Sequence, residues 1–226
     1  MRQYSVQQTS LTFKWVFKRL IPSLPGPGSP GFPALCRILH PYGLNASGVT
    51  VEAPSSRLSE LTLSLSLLDN RVALRMTCGF LEMYVSSLIT GDEEKLVKIL
   101  ELSFPTLSEI DSEVGEGEAQ VRVATHLKLP PLENFTLLHE HLIGPASNAK
   151  LIPEAAVYKI DVEDASRTKE LRVVIAKSIA FEDALFVEVN SIYDGPLAIS
   201  DLAKRVEADL ESVIGILGLE EGPEGV

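Results

Sequence analysis

The stretch Leu137-Leu138-His139-Glu140-His141-Leu142 holds the only closely spaced imidazoles in the chain. In an extended backbone alternate residues share a face, so His139 and His141 could offer two nitrogens to one zinc ion. The spacing is not HExxH, in which two histidines four apart on a helix hold the metal and the glutamate acts as base. No third ligand follows from the sequence, and imidazoles sitting on an edge strand between apolar residues are the simpler reading. His40 and His126 stand alone and are expected to be structural.

Nucleophilic and nucleotide chemistry find little support. Cys78-Gly79 places a thiol beside a glycine, but on the apolar face of an expected strand, where burial raises a thiol's pKa and quenches it. No GxSxG elbow occurs. Gly26-Pro27-Gly28 lies in a proline-rich loop and not between a strand and a helix, so no phosphate-binding fingerprint exists and no cofactor is implied. Carboxylates cluster at Glu93-Glu94, at Glu109, Asp111 and Glu113, and at Asp161, Glu163 and Asp164. Solubilising turns and helix starts accounts for them without invoking a general acid.

The segment Phe13-Lys14-Trp15-Val16-Phe17-Lys18-Arg19 interleaves rings with cations, the combination with which single-strand nucleic-acid binders stack bases and meet phosphates. Alternation, however, sends Phe13, Trp15 and Phe17 to one face of a strand and Lys14 and Lys18 to the other. That division suits a strand with a buried aromatic face and a wet basic one. An interface strand formed by Phe13, Lys14, Trp15, Phe17, Lys18 and Arg19 is the next reading, ahead of nucleic acid.

The elements that must position these residues are mostly strands. Alternation at Leu11, Phe13, Trp15 and Phe17 predicts the first. Between residues 22 and 54 lie seven of the 14 prolines, which argues for a long irregular connection with one apolar island at 34–39. Leu61, Leu63, Leu65 and Leu67, then Asp69-Asn70, then Val72, Leu74, Met76 and Cys78 read as a β-hairpin. The phase slips after Gly79, as at a bulge or a turn, and resumes at Leu81, Met83 and Val85. Thr90-Gly91-Asp92-Glu93 has capping-box spacing ahead of a helix through Leu96, Ile99, Leu100 and Phe104, which Pro105 should end or kink. A further strand carries Val121, Val123, Leu127 and Leu129.

Strands through Tyr158, Leu171 to Ile175 and Leu185 to Val189 then lead past Asp194-Gly195-Pro196 to a second helix. Its apolar stripe is Leu202, Val206, Leu210, Val213 and Leu217, with N-cap oxygens at Ser200 and Asp201 and a C-terminal cap at Gly218. The expected fold is α+β, a mainly antiparallel sheet covered by two helices. Its order, strand-strand-strand-helix over 61–104 and again over 156–217, suggests an internal β-β-β-α duplication. The corresponding organisation is an amino-terminal strand and proline-rich connection (1–54), a body (55–218, halves at about 55–130 and 150–218) and an acidic tail (219–226).

Composition narrows the function classes. At 226 residues, 45% of them hydrophobic, the chain can bury a substantial core. It has no apolar run of the roughly 18 residues that a spanning helix needs, and its amino terminus lacks a secretory layout. Two cysteines point to free thiols in a reducing, cytoplasmic setting, in which the triplets at Asn45 and Asn134 are chance matches. A net charge of −11 disfavours nucleic acid and anionic membranes as partners. Yet residues 1–51 contain five basic residues and no acidic one, so the remainder carries −16. This asymmetry, with no catalytic motif, makes a non-enzymatic interaction or assembly protein the first expectation, with self-association or a protein partner docking through the basic strand. The alternatives are a carrier of a small apolar ligand held between sheet and helix, and a metal-dependent enzyme using His139 and His141.

Overall fold

Alternating apolar residues build one large sheet in the computed structural model, which describes residues 2–24, 28–53, 57, 60–129, 155–160, 168–194 and 198–221. The strands are β1 (Arg2–Phe17), β2 (Val49–Glu52), β3 (Thr62–Leu67), β4 (Val72–Met76), β5 (Phe80–Val85) and β6 (Gly117–Lys128), then β7 (Ala155–Ile160), β8 (Thr168–Lys177), β9 (Ala184–Asp194) and β10 (Leu219–Glu221). Nine of them lie in the order β2-β3-β4-β5-β1-β6-β9-β8-β7, and the sheet is not closed. Neighbours on that path are antiparallel; β10 pairs parallel with the start of β1. Among the described residues three helices, α1 (Phe32–Leu39), α2 (Glu93–Ser108) and α3 (Ile199–Ile216), accompany the sheet.

A repeated wiring pattern underlies this order. β1 leads, through α1 and β2, into the meander β3-β4-β5 and then α2; β6 leads into β7-β8-β9 and then α3. In each unit the last meander strand returns to pair with the strand that opened it, β5 with β1 and β9 with β6. The two opening strands pair with each other from Ser5↔Lys128 to Phe17↔Gly117, interrupted by a register shift between Val6 and Gln8. Each unit therefore has an opening strand ahead of the β-β-β-α order read from the sequence, and β1 and β6 are what join them.

One face of the sheet is buried and the other is wet, as period-2 alternation requires. The larger cluster gathers Phe13, Trp15, Leu63, Leu65, Met76 and Met83 under α1 and α2. The smaller joins Leu127, Leu171, Val173, Ile175, Val187 and Val189 to Val213 and Leu217 of α3. Trp15 ties β1 to the short 3-10 turn that precedes β6: its indole donates to the Val114 carbonyl at 2.9 Å. A Cβ on Gly117 would lie 2.6 Å from Trp15 Nε1 and 2.5 Å from the Val16 carbonyl oxygen, so only glycine fits there.

Several local expectations are corrected. The proline-rich stretch is less irregular than its composition implies. Pro33 occupies the first turn of α1, where its missing N–H costs nothing, and Leu35 and Leu39 anchor that helix in the core. β2 forms further along as an edge strand against β3. Pro105 does not end α2, which runs on to Ser108; the Ser103 and Thr106 hydroxyls donate to the Ile99 and Leu102 carbonyls at 2.7 and 2.9 Å. The slip at Gly79, by contrast, is one of its two expected forms, a turn: Thr77 N–H donates to the Phe80 carbonyl at 3.0 Å, and Thr77 Oγ1 accepts from Gly79 and Phe80 N–H.

Both helix starts also differ. Asp92, and not Thr90 of the expected capping box, takes the N-cap position of α2, and its carboxylate does not cap the helix; it is drawn to Arg71 and to Lys95. The Arg71 hydrogen bond above all holds that carboxyl below its usual range. Ala198 precedes α3, so neither Ser200 nor Asp201 supplies a capping oxygen, and the Ala198 carbonyl receives the N–H groups of Asp201 and Leu202. Gly218 does adopt the left-handed conformation, with φ +63°, and turns the chain from α3 into β10.

Candidate apolar binding cleft

The aromatic and basic residues of β1 are used within the chain itself. Phe13, Trp15 and Phe17 are buried, and Phe104 of α2 meets Phe13 and Trp15 edge-on at 6.2 and 5.5 Å. On the opposite face Lys14 lies 4.1 Å from the centre of the Phe80 ring. Lys18 pairs with Glu116 at 3.1 Å, and Arg19 with Glu113. Residues 11–16 pair with β5 along one edge and β6 along the other. At these positions β1 offers neither an open edge nor a ring free to stack on a base.

His139 and His141 lie outside the described residues, as do Asp161, Glu163 and Asp164. Among the described residues no group of three or more His, Cys, Asp or Glu side chains is placed to hold a metal ion. Cys78 is buried, and burial pushes the Cys36 thiol up. Asp111 caps a short 3-10 turn by accepting the Glu113 N–H at 3.0 Å.

One polar pair was invisible in the sequence because its members are 52 residues apart: His126 Nδ1 lies 2.9 Å from Ser178 Oγ. A serine beside an imidazole invites comparison with a nucleophile and its base, but the details oppose it. Ser178 is buried, its oxygen already accepts the N–H groups of Ala180 and Phe181 at 3.2 and 2.9 Å, and no carboxylate orients the ring among the described residues. Phe181 and Phe186 flank the imidazole at 5.1 and 5.3 Å. The arrangement pins the β8–β9 turn.

The most distinctive feature is a cleft of about 620 Å³ between the sheet and the two long helices. Its floor is the middle of the sheet: Leu11 and Phe13 of β1, Val121 and Val123 of β6, Val187 and Val189 of β9. α2 contributes Leu96, Val97 and Leu100, and α3 contributes Ile199, Leu202, Val206 and Leu210. Of the 27 lining residues, 20 are apolar. The stripe on α3 explains why the space remains: of its inward residues within the helix only Leu202 and Val213 are buried, while Val206, Leu210 and Ile214 keep part of their surface exposed. Val6, another lining residue, is 46% exposed. Asp209 ties the helix to β9: its carboxylate accepts from Tyr193 Oη at 2.6 Å and from Ser191 Oγ at 3.1 Å. Tyr193 itself is wholly buried, and burial pushes its phenol far above the usual range.

Individual stripe residues were legible in the sequence as a helix face, but the space beneath them was not. Comparisons of the chain with family models, with curated proteins and with solved structures found no match to any of them.

Proposed function

We propose that the protein binds and carries a small apolar molecule in the cleft beneath α3. The observation that carries this reading is a cavity of about 620 Å³ lined by 20 apolar residues among 27, several of them only half-buried. That volume falls within the range of pockets that enclose drug-sized ligands. Apolar surface left facing water gains about 25 cal/mol for each Å² that a ligand covers. The alternative of self-association through the basic amino-terminal strand has less support, because Phe13, Trp15 and Phe17 are packed into the core and Lys18 and Arg19 already face acidic partners in the same chain.

A neutral solvatochromic dye such as Nile red tests the proposal. Binding to the purified chain should saturate, and at a free dye concentration of 100 times the Kd the fold should gain roughly 2.7 kcal/mol. Ala203 lines the cleft from an exposed position on α3, so Ala203→Trp should fill the space without disturbing the core and should weaken the dye by at least about tenfold. Absence of saturable binding, or full binding by Ala203→Trp, would remove the proposal.

A further inference from the structure

We infer that the molecule held in the cleft is an amphiphile with a cationic head, a hydrocarbon tail ending in an ammonium or related group, and not a fatty-acid-like anion; this rests on the apolar-ligand reading above. The charged residues around the cleft are Glu93 at the start of α2 and Lys204, Glu207 and Glu211 on α3, three carboxylates to one ammonium. Glu207 and Glu211 are one helical turn apart and therefore share a side of α3. Both are exposed, and neither has an ion-pair partner among the described residues.

Among the described residues the interior holds no cation for an anion. Its polar groups are the Thr9 and Thr125 hydroxyls, which meet each other at 3.2 Å, and the phenol of Tyr4. Burial and the nearby Glu221 push that phenol upward, which keeps it neutral. A carboxylate drawn inside would lose its hydration without gaining a cation, and one left at the mouth would face three carboxylates against the single ammonium of Lys204. A cationic head at the mouth keeps its water, lies beside those two carboxylates and lets its tail cover the exposed apolar lining. The net charge of −11 adds a longer-range pull on the same class of ligand.

Three probes with one tail separate the possibilities: decyltrimethylammonium, decanol and decanoate, titrated below their aggregation concentrations into the full chain at low salt. The cationic probe should bind roughly tenfold tighter than the alcohol, the sum of two exposed charge contacts, with decanoate weakest and the preference shrinking as salt rises. Glu207→Gln with Glu211→Gln should bring the cationic probe to the level that the alcohol shows in the same variant. Ala203→Trp should weaken all three, which distinguishes cleft binding from adsorption to an acidic surface. If the alcohol binds in the cleft while decanoate equals or exceeds the cation, or if the double variant keeps the cationic preference, this inference is overturned and the apolar-ligand reading survives. If none of the three binds, both fall.

Discussion

At the scale of single residues, Ser178 determines the state of His126. Its oxygen already accepts two backbone N–H groups, so its own proton points at Nδ1 of the imidazole, which must then be the unprotonated nitrogen. Protonating the ring would set donor against donor, and burial independently lowers the His126 pKa from the ordinary 6.5. The unfolded chain therefore takes up this proton first as pH falls. Stability attributable to His126 is complete above about pH 6.5 and declines below it, until the folded value is passed. Urea unfolding between pH 8 and pH 5 should show this decline in the wild type and lose that component in His126→Gln. The variant should also cost about 1 kcal/mol at pH 8 for the exchanged hydrogen bond. Identical pH dependence in both proteins would contradict the assignment.

At the scale of elements, α3 depends on one polar anchor more than its apolar stripe suggests. Only Leu202 and Val213 are buried among its residues, and Tyr193 and Ser191 of β9 hold it through Asp209. Tyr193→Phe keeps the ring and removes the donor, so it should destabilise the chain by roughly 1–2 kcal/mol and speed amide exchange selectively in α3 and β10. Uniform exchange across the molecule would mean that the stripe alone positions the helix. Apart from β2 and β10, the strands and both long helices were legible because alternation and the 3.6-residue stripe are short-range signals, clear at Leu63-Leu65-Leu67 and at Leu202-Val206-Leu210-Val213. The capping atoms were not, since the fate of Asp92 depends on Arg71 from a different element. Nor was the cleft, whose walls come from helices about 100 residues apart in sequence, one of them tied to a tyrosine on a third element.

At the scale of the whole molecule, the acid-free amino terminus resembles an arm in composition and is a central beam in space. β1 pairs with β5, β6 and β10, and its Phe13, Trp15 and Phe17 lie within the larger hydrophobic cluster. Two of the five basic residues in 1–51 meet their counter-charges inside the chain, Lys18 facing Glu116 and Arg19 facing Glu113. Removing residues 1–21 would leave β5 and β6 as two unpaired hydrophobic edges and take away the strand that joins the repeated units. Three buried aromatic side chains would be lost with it, each worth roughly 3–5 kcal/mol when truncated, against a total stability of about 5–15 kcal/mol for a typical domain. The truncated chain should therefore show no cooperative thermal transition and should aggregate through its exposed edges, whereas Lys14→Ala, which alters only the wet face of the same strand, should unfold within about 1 kcal/mol of the parent. A folded truncated protein with an unchanged unfolding midpoint would show that β1 is a detachable arm after all, and would return the basic strand to consideration as a surface for a partner.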